Sequence, residues 1–428
     1  MRLATPLVVL LCCTVTAVGQ QQQQKQQQQQ GQQSSAARQR ALAEVWLYER
    51  FREISTLLLA PSNRARNFER VRRLNALQPE VPSDRPFPCD TRLGRSPSPP
   101  DSVHRLRPGD IDVIAALGDS LTAGNGNAAS NLLHVAVENK GLSWTIGGEG
   151  SWRRFLTLPN ILKEFNPRLV GFSLHDALSH QKASQFNVAE AGAMSRDVPF
   201  QARLLVRRMR AHPAVDFDRH WKLVTVMVGD NDFCLNICYG DTAKKAAENH
   251  RKDLIDTLDY LRQNLPRTLV SVVVTPHMDI IRNFTTRSLL CELVNDLECP
   301  CMFGLRFDNR RQELSRVMDD WQKVDEQVPA DSRYAGLTDF AVVTQPFTKS
   351  LIFPNITTEA GHRTDYSFLS QDCFHFSQKG MARAANALWN NMMEPVGRKS
   401  EDWDDTFSRF LCPTEERPYI YTSGNSGV

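Results

Sequence analysis

From Ile111 onward, short apolar runs alternate with stretches whose apolar positions recur every three or four residues. The runs Ile111–Leu117, Leu223–Val228, Leu269–Val274 and Phe340–Val343 are of strand length and nearly free of polar positions, the pattern of strands buried on both faces. Leu169–Ser173 is a further short candidate strand. Pro199–Arg210 is amphipathic, Thr242–Asn264 carries Leu254, Ile255, Leu258 and Leu261 on one face, and Ser377–Met393 opens on a good N-cap residue, so each predicts a helix. Strands alternating with helices predict an α/β fold, a parallel sheet with helices on both faces. In such sheets functional groups collect in the loops at the carboxyl ends of the strands.

Ahead of Ile111 the pattern changes. Leu42, Val45, Trp46, Phe51, Ile54 and Leu58 recur at helical spacing within Ser35–Leu59, whereas Pro79–Pro108 is rich in proline, serine and arginine and reads as an extended linker held at Cys89. Residues 20–34 are glutamine-rich and predict disorder. Arg2, the apolar stretch Leu7–Cys13 and the small residues up to Gly19 have the layout of a secretory signal peptide, too short to span a bilayer. The expected organisation is a signal peptide over 1–19, the glutamine-rich segment over 20–34, a helical segment and linker over 35–104, one domain over 105–397 and a polar tail over 398–428. The expected product is secreted and extracellular, without a transmembrane anchor.

The charge balance, 51 Lys+Arg against 48 Asp+Glu in 428 residues, leaves only +3, so a nucleic-acid partner is not expected. The stripe of Arg203, Arg207 and Arg210 reads as a solvated helix face. Beyond the signal peptide remain Cys89, Cys234, Cys238, Cys291, Cys299, Cys301, Cys373 and Cys412, an even set that predicts disulfides in an oxidising compartment while leaving their pairing open. Cys234/Cys238 and Cys299/Cys301 lack the repeated spacing of a structural zinc site, so neither a metal nor a cofactor is expected. Asn283-Phe-Thr285 and Asn355-Ile-Thr357 are candidate glycosylation sites.

Candidate chemistry falls where the topology rule puts it. The first strand runs into Gly118-Asp119-Ser120-Leu121, the Leu223–Val228 strand into Gly229-Asp230-Asn231-Asp232, and Asp372-Cys373-Phe374-His375 precedes the closing helix. A serine attacks an ester only if a base takes its proton, and a histidine is held in the right tautomer by a carboxylate. Ser120 is thus the candidate nucleophile, His375 the base and Asp372 its orienter, with Asn231 and backbone N–H groups as oxyanion donors. Among the other histidines, His277 is separated by two residues from the end of the Leu269–Val274 run.

These motifs resemble the blocks of the GDSL or SGNH hydrolases: Gly118-Asp-Ser-Leu121 the first, Gly192 the second, Gly229-x-Asn231-Asp232 the third, and Asp372-x-x-His375 the last. The resemblance implies a flavodoxin-like three-layer sandwich, a triad of Ser120, His375 and Asp372, and an oxyanion hole of the Ser120 N–H, the Gly192 N–H and the Asn231 side chain. Leu117–Gly126, Gly141–Gly148, Asn160–Pro167, Asp372–Ser377 and Ala385–Asn391 are similar to the repeat unit of the membrane-associated phospholipase B subfamily, over about residues 105–400 as a single unit without an anchor. It implies an esterase acting on phospholipids and lysophospholipids, with room for peripheral contact with a lipid interface. A soluble carboxylesterase, a carbohydrate acetylesterase and a non-catalytic binding protein are the competing readings. An α/β-hydrolase lipase is disfavoured, because Ser120 does not sit in G-x-S-x-G. For a lipid substrate, Trp144, Trp152, Phe155, Leu156, Leu158, Ile161, Leu162 and Phe172 are expected to provide apolar surface near Ser120.

Overall fold

The computed structural model describes residues 60–427, apart from 240–241 and 359–360, together with isolated positions between 50 and 59. The chain divides into units of residues 1–59 and 60–428. The signal-peptide and glutamine-rich readings lie outside the described residues, as does most of the amphipathic stretch 35–59.

In chain order the second unit contains α1 (Arg64–Arg73), β1 (Ile111–Gly118), α2 (Leu158–Phe165), α3 (Val198–Ala211), β2 (Trp221–Met227), α4 (Thr242–Asn264), β3 (Thr268–Val273), α5 (Leu289–Glu298), α6 (Arg311–Gln327), β4 (Phe340–Gln345) and α7 (Gln378–Met392). The four strands form one parallel sheet in the order β1-β2-β3-β4. Alternation along each strand sorts the side chains between two layers. Val113, Ala115, Leu117, Val224, Val226, Val270 and Val272 pack with Leu205 of α3 and Leu254, Leu258 and Leu261 of α4. Ile114, Ala116, Leu223, Leu269, Val273 and Val343 pack on the other side with Ile161 and Leu162 of α2 and Met381, Leu388 and Trp389 of α7. Truncating a fully buried leucine here, such as Leu258, should cost about 2–5 kcal/mol. The architecture is the three-layer sandwich expected. Ser377 caps α7 as expected, accepting the Gly380 N–H at 3.3 Å.

Leu169–Ser173 is not a strand of its own. It contributes the parallel bridges Val113–Val170 and Gly147–Ser173, and further along the β1 edge Asn187 bridges Ala116. Two short segments therefore share the edge position of one strand. Gly171 makes the crossing: its φ is +101°, and a Cβ there would stand 2.3 Å from the Ile114 carbonyl oxygen.

The segments flanking the predicted domain pack within the same unit. Phe68 and Val71 of α1 are buried with Phe155, Trp403 and Ile420 join the main core, and the Cys89–Cys412 disulfide ties the proline-rich stretch to the tail. Three more disulfides join Cys234 to Cys299, Cys238 to Cys301 and Cys291 to Cys373. No helix among the described residues is long and apolar enough to cross a membrane. Arg203, Arg207 and Arg210 are exposed on α3, as a solvated stripe requires.

Candidate active site

Three chain segments meet at the carboxyl end of the sheet. β1 ends at Gly118, whose φ of +147° brings it so close to β2 that a Cβ would lie 2.2 Å from the Met227 carbonyl oxygen. The chain then enters the helical turn Ser120–Ala123, capped by Asp119, whose carboxylate accepts the Leu121 N–H at 3.1 Å. Ser120 thus occupies the first position of the turn, where a backbone N–H has no partner within the turn itself.

The segment 370–375 is a tight loop. Ser370 donates its N–H to the His375 carbonyl at 2.7 Å, Cys373 donates to the Ser370 carbonyl at 3.1 Å, and Cys373 has a left-handed φ of +58°. Such a backbone is unfavourable for a residue with a Cβ, and here it is held by the disulfide to Cys291. Asp372 organises the loop from inside, one carboxylate oxygen accepting the Phe374 and His375 N–H groups, both at 3.0 Å. Its other oxygen stands 2.5 Å from His375 Nδ1, and His375 Nε2 stands 2.9 Å from Ser120 Oγ. A carboxylate can only accept, so Nδ1 carries the hydrogen and Nε2 is free to accept from the serine hydroxyl.

Electrostatics follow from burial and this pairing. Burial pushes the Asp372 carboxyl up, but His375 and the loop N–H groups outweigh it and hold it below the usual carboxylate range. For His375, burial acts downward, while Asp372, with help from Glu298 and Asp119, prevails and raises it to about 9.

The segment carrying Gly192 runs beside β1, with Val188 donating to Ala116 and Glu190 donating to Gly118. Gly192 has a φ of +79° and open space where a Cβ would be. Asn231 lies in the helical turn Asp230–Leu235 and donates a side-chain N–H to the Ala193 carbonyl at 2.9 Å. Asp232 accepts the Ser195 N–H at 2.9 Å, fastening the second block to the third. The structure therefore brings Ser120, His375 and Asp372 into one hydrogen-bonded chain and joins the Gly192 and Asn231 loops beside it. Asn283 and Asn355 are exposed, in segments apart from this chain.

A second serine–histidine–aspartate chain has no counterpart in the sequence reading. Ser195 Oγ lies 2.8 Å from His250 Nδ1, and His250 Nε2 lies 2.9 Å from Asp325. These residues are only 3, 1 and 2% exposed, the His250 ring stacks on Trp321 at 3.9 Å, and Asp325 also accepts the Thr275 N–H and hydroxyl. An arrangement so enclosed ties α4, α6 and the end of β3 together, whereas Ser120 and His375 are flanked in the chain by Leu121, Phe374 and Phe376, which wall a cavity.

That cavity is small and apolar, with Leu121, Met278, Ile281, Phe284, Phe374 and Phe376 in its wall. The Phe374 and His375 rings are 5.3 Å apart. It is not made by the residues that the sequence nominated. Trp144, Trp152, Phe155, Leu156, Leu158, Ile161 and Leu162 are at most 4% exposed and fill the core, while Phe172 packs against it. His277 also borders the cavity and is bound into the fold by a 3.2 Å hydrogen bond from the Asp279 N–H. A larger cleft, lined by Arg95, Arg168, Trp221 and Arg267, opens at the amino ends of the strands.

Among the described residues, one group of acidic and histidine side chains converges as a cation site would: Glu298, Asp372 and His375 each place an atom within 4.8 Å of the others. Both Asp372 oxygens and both His375 nitrogens are already engaged in the loop and with Ser120. The spacing of the sequence motifs gave no sign of Glu298.

Residues 114–388 match the GDSL-like Lipase/Acylhydrolase family model. The chain is 42% identical over 343 residues to human membrane-associated phospholipase B1, covering 79% of this chain and 23% of that protein, and 38% identical to the rat protein over 344 residues, again 23% of its length. It thus spans about a quarter of the length of these curated relatives. Among solved structures, an extracellular lipase from Streptomyces rimosus is 16% identical and covers 65% of this chain and 98% of its own, with a TM-score of 0.32, too loose a superposition to carry weight. A family match over more than half of the chain, with the site motifs in order, means that the chain belongs to the GDSL-like lipase/acylhydrolase family, as an acyl-ester hydrolase.

Proposed function

We propose that this protein is a secreted esterase that cleaves the acyl-ester bonds of phospholipids and lysophospholipids, using Ser120 as nucleophile, His375 as general base and Asp372 as orienter. The observation that carries the reading is the unbroken chain from Asp372 through His375 to Ser120 Oγ, with contacts of 2.5 and 2.9 Å. Ser120 Oγ attacks the ester carbonyl as its proton passes to His375 Nε2. The oxyanion is received by the Ser120 and Gly192 N–H groups and by the Asn231 amide hydrogen not given to Ala193. Collapse of the tetrahedral intermediate breaks the ester C–O bond, and His375 protonates the departing alcohol oxygen. Water, deprotonated by His375, then releases the fatty acid from the acyl-serine.

Two features favour a lipid over an acetylated sugar. The apolar cavity begins at Leu121, next to the nucleophile. Leu289, Leu290, Leu293 and Leu297 are exposed on α5, whose Cys291 is bonded to the His375 loop, and they offer an apolar face to a lipid surface. Secretion and glycosylation at Asn283 and Asn355 belong to the same proposal, supported by the disulfides and by the exposure of both asparagines.

The test is to incubate the purified protein with phospholipids, lysophospholipids, neutral glycerides and acetylated sugars, and to identify the acids released. Ser120→Ala should abolish fluorophosphonate labelling and nearly all hydrolysis, whereas Asn231→Ala should lose about 100- to 1000-fold in kcat and still label slowly. Full labelling of Ser120→Ala would remove Ser120 from the role. Cleavage of acetyl esters alone would replace the phospholipase reading with the carboxylesterase one.

A further inference from the structure

The triad geometry leaves Glu298 unexplained. It is the last residue of α5, and its carboxyl group lies within 4.8 Å of donor atoms of both Asp372 and His375. Its Oε2 is buried and has no hydrogen-bond partner. A carboxyl group in such a place is costly to a fold, because burial and a neighbouring carboxylate both oppose its ionisation. Burial and then Asp372 raise it to about 7, with His375 opposing.

Its position is also covalently fixed from both sides. The Cys291–Cys373 disulfide attaches the first turn of α5 to the residue after Asp372, and the Cys234–Cys299 disulfide attaches the residue after Glu298 to the turn that carries Asn231. Asn295, on the same helix, donates to the Asp372 carbonyl at 3.4 Å. The helix is thus registered against both loops that hold the proposed machinery, and Glu298 is its ionisable side chain closest to the histidine.

We propose that Glu298 is a positioning residue for the triad: its carboxylate supplies a second negative charge beside His375 and stabilises the imidazolium that forms as Ser120 attacks. The inference rests on the triad reading given above. When Ser120 transfers its proton, His375 becomes positive and Asp372 compensates for it at contact distance. Glu298 adds attraction from farther away without forming a bond. The same charge favours protonated His375 in the resting enzyme, so Glu298 should strengthen the transition state and also narrow the pH range in which the base is available. The charged groups acting on Glu298 are Asp372 and His375, while His375 also responds to Asp119 from the Ser120 loop.

The test compares wild type with Glu298→Gln and Glu298→Asp, on a soluble short-chain ester and in the rate of fluorophosphonate labelling, from pH 5 to 10. In Glu298→Gln the midpoint of the acid limb of kcat/KM should fall by about one pH unit, and the plateau kcat should fall by about 3- to 10-fold with KM unchanged. Glu298→Asp should recover part of both changes. A purely structural role would lower kcat and Tm and leave the midpoint in place, so an unmoved midpoint in Glu298→Gln overturns the inference. If Glu298→Gln is not secreted, the same midpoint is read in Glu298→Met, equally uncharged and of similar size, where an unmoved value has the same force. Continued labelling of Ser120→Ala would instead bring down the underlying triad reading.

Discussion

At the scale of single residues, the proposed site depends on one carboxylate doing two jobs. Asp372 shapes the loop by accepting two backbone N–H groups with one oxygen and orients His375 with the other. The three-residue spacing makes this legible in sequence, since a single turn of chain can return the histidine to the carboxylate. Glu298 was illegible because its proximity is created by the path of α5 and two disulfides, with no local spacing to announce it. A pH prediction follows from Asp372. The base must be neutral to act, and net interactions raise His375 above its ordinary value, to about 9. Activity should therefore be low in acid and rise with pH through a limb displaced upward from about 6.5, then level off. Asp372→Asn removes the main source of the upward shift and permits the wrong tautomer, so its limb should move to lower pH and its plateau kcat fall by about 10⁴-fold. Rate–pH profiles of the two proteins on a soluble ester, with chemistry rate-limiting, check this, and a flat wild-type profile from pH 5 to 8 would count against His375 as the base.

At the scale of elements, the apolar runs located the four strands of the parallel sheet and the helices α3, α4 and α7, because burial on both faces leaves an unbroken hydrophobic signature in such a sheet. Leu169–Ser173 carries a similar signature but is halted by Gly171, whose close passage over Ile114 ends the pairing after one bridge. α5 escaped notice because it is short and its leucines face outward instead of marking a buried stripe. Eight cysteines announced disulfides, but only the folded chain shows that two of the four fasten α5 to the Asn231 turn and the His375 loop. The strained Cys373 backbone gives that fastening a catalytic consequence. Mild reduction, or Cys291→Ser with Cys373→Ser, should lower kcat by about 10-fold or more, through displacement of the base from Ser120, before the sheet unfolds. Circular dichroism and activity followed together during reduction should separate in that order. Coincident loss of both, or quantitative alkylation of native protein at Cys373, would show that the disulfide is no separate brace.

At the scale of the molecule, the sandwich separates the layers that stabilise it from the edge that carries the proposed triad, and under the lipid reading this division decides where an acyl chain goes. The aromatic and aliphatic residues between Trp144 and Leu162 had the composition of a lipid-binding surface, yet they are buried, Phe155 against α1 and the others in the core cluster that includes α2 and α7. Composition cannot distinguish core from pocket, since both want apolar side chains; only position relative to Ser120 does. The apolar wall that remains, beginning at Leu121 next to Ser120, comes from the segment after β3 and the loop before α7, with Met278 and Ile281 on one side and Phe374 and Phe376 on the other. If the acyl chain lies there, filling the cavity should penalise long chains and spare short ones. Met278→Trp should lower kcat/KM for medium- and long-chain esters by about 10- to 100-fold, the effect of displacing several methylene groups at about 0.8 kcal/mol each, while acetyl ester hydrolysis stays within about twofold of wild type. A chain-length series on the two proteins measures this directly. Equal losses at every chain length would mean that the substitution disturbs the triad, and no loss at any length would place the acyl chain elsewhere on the surface.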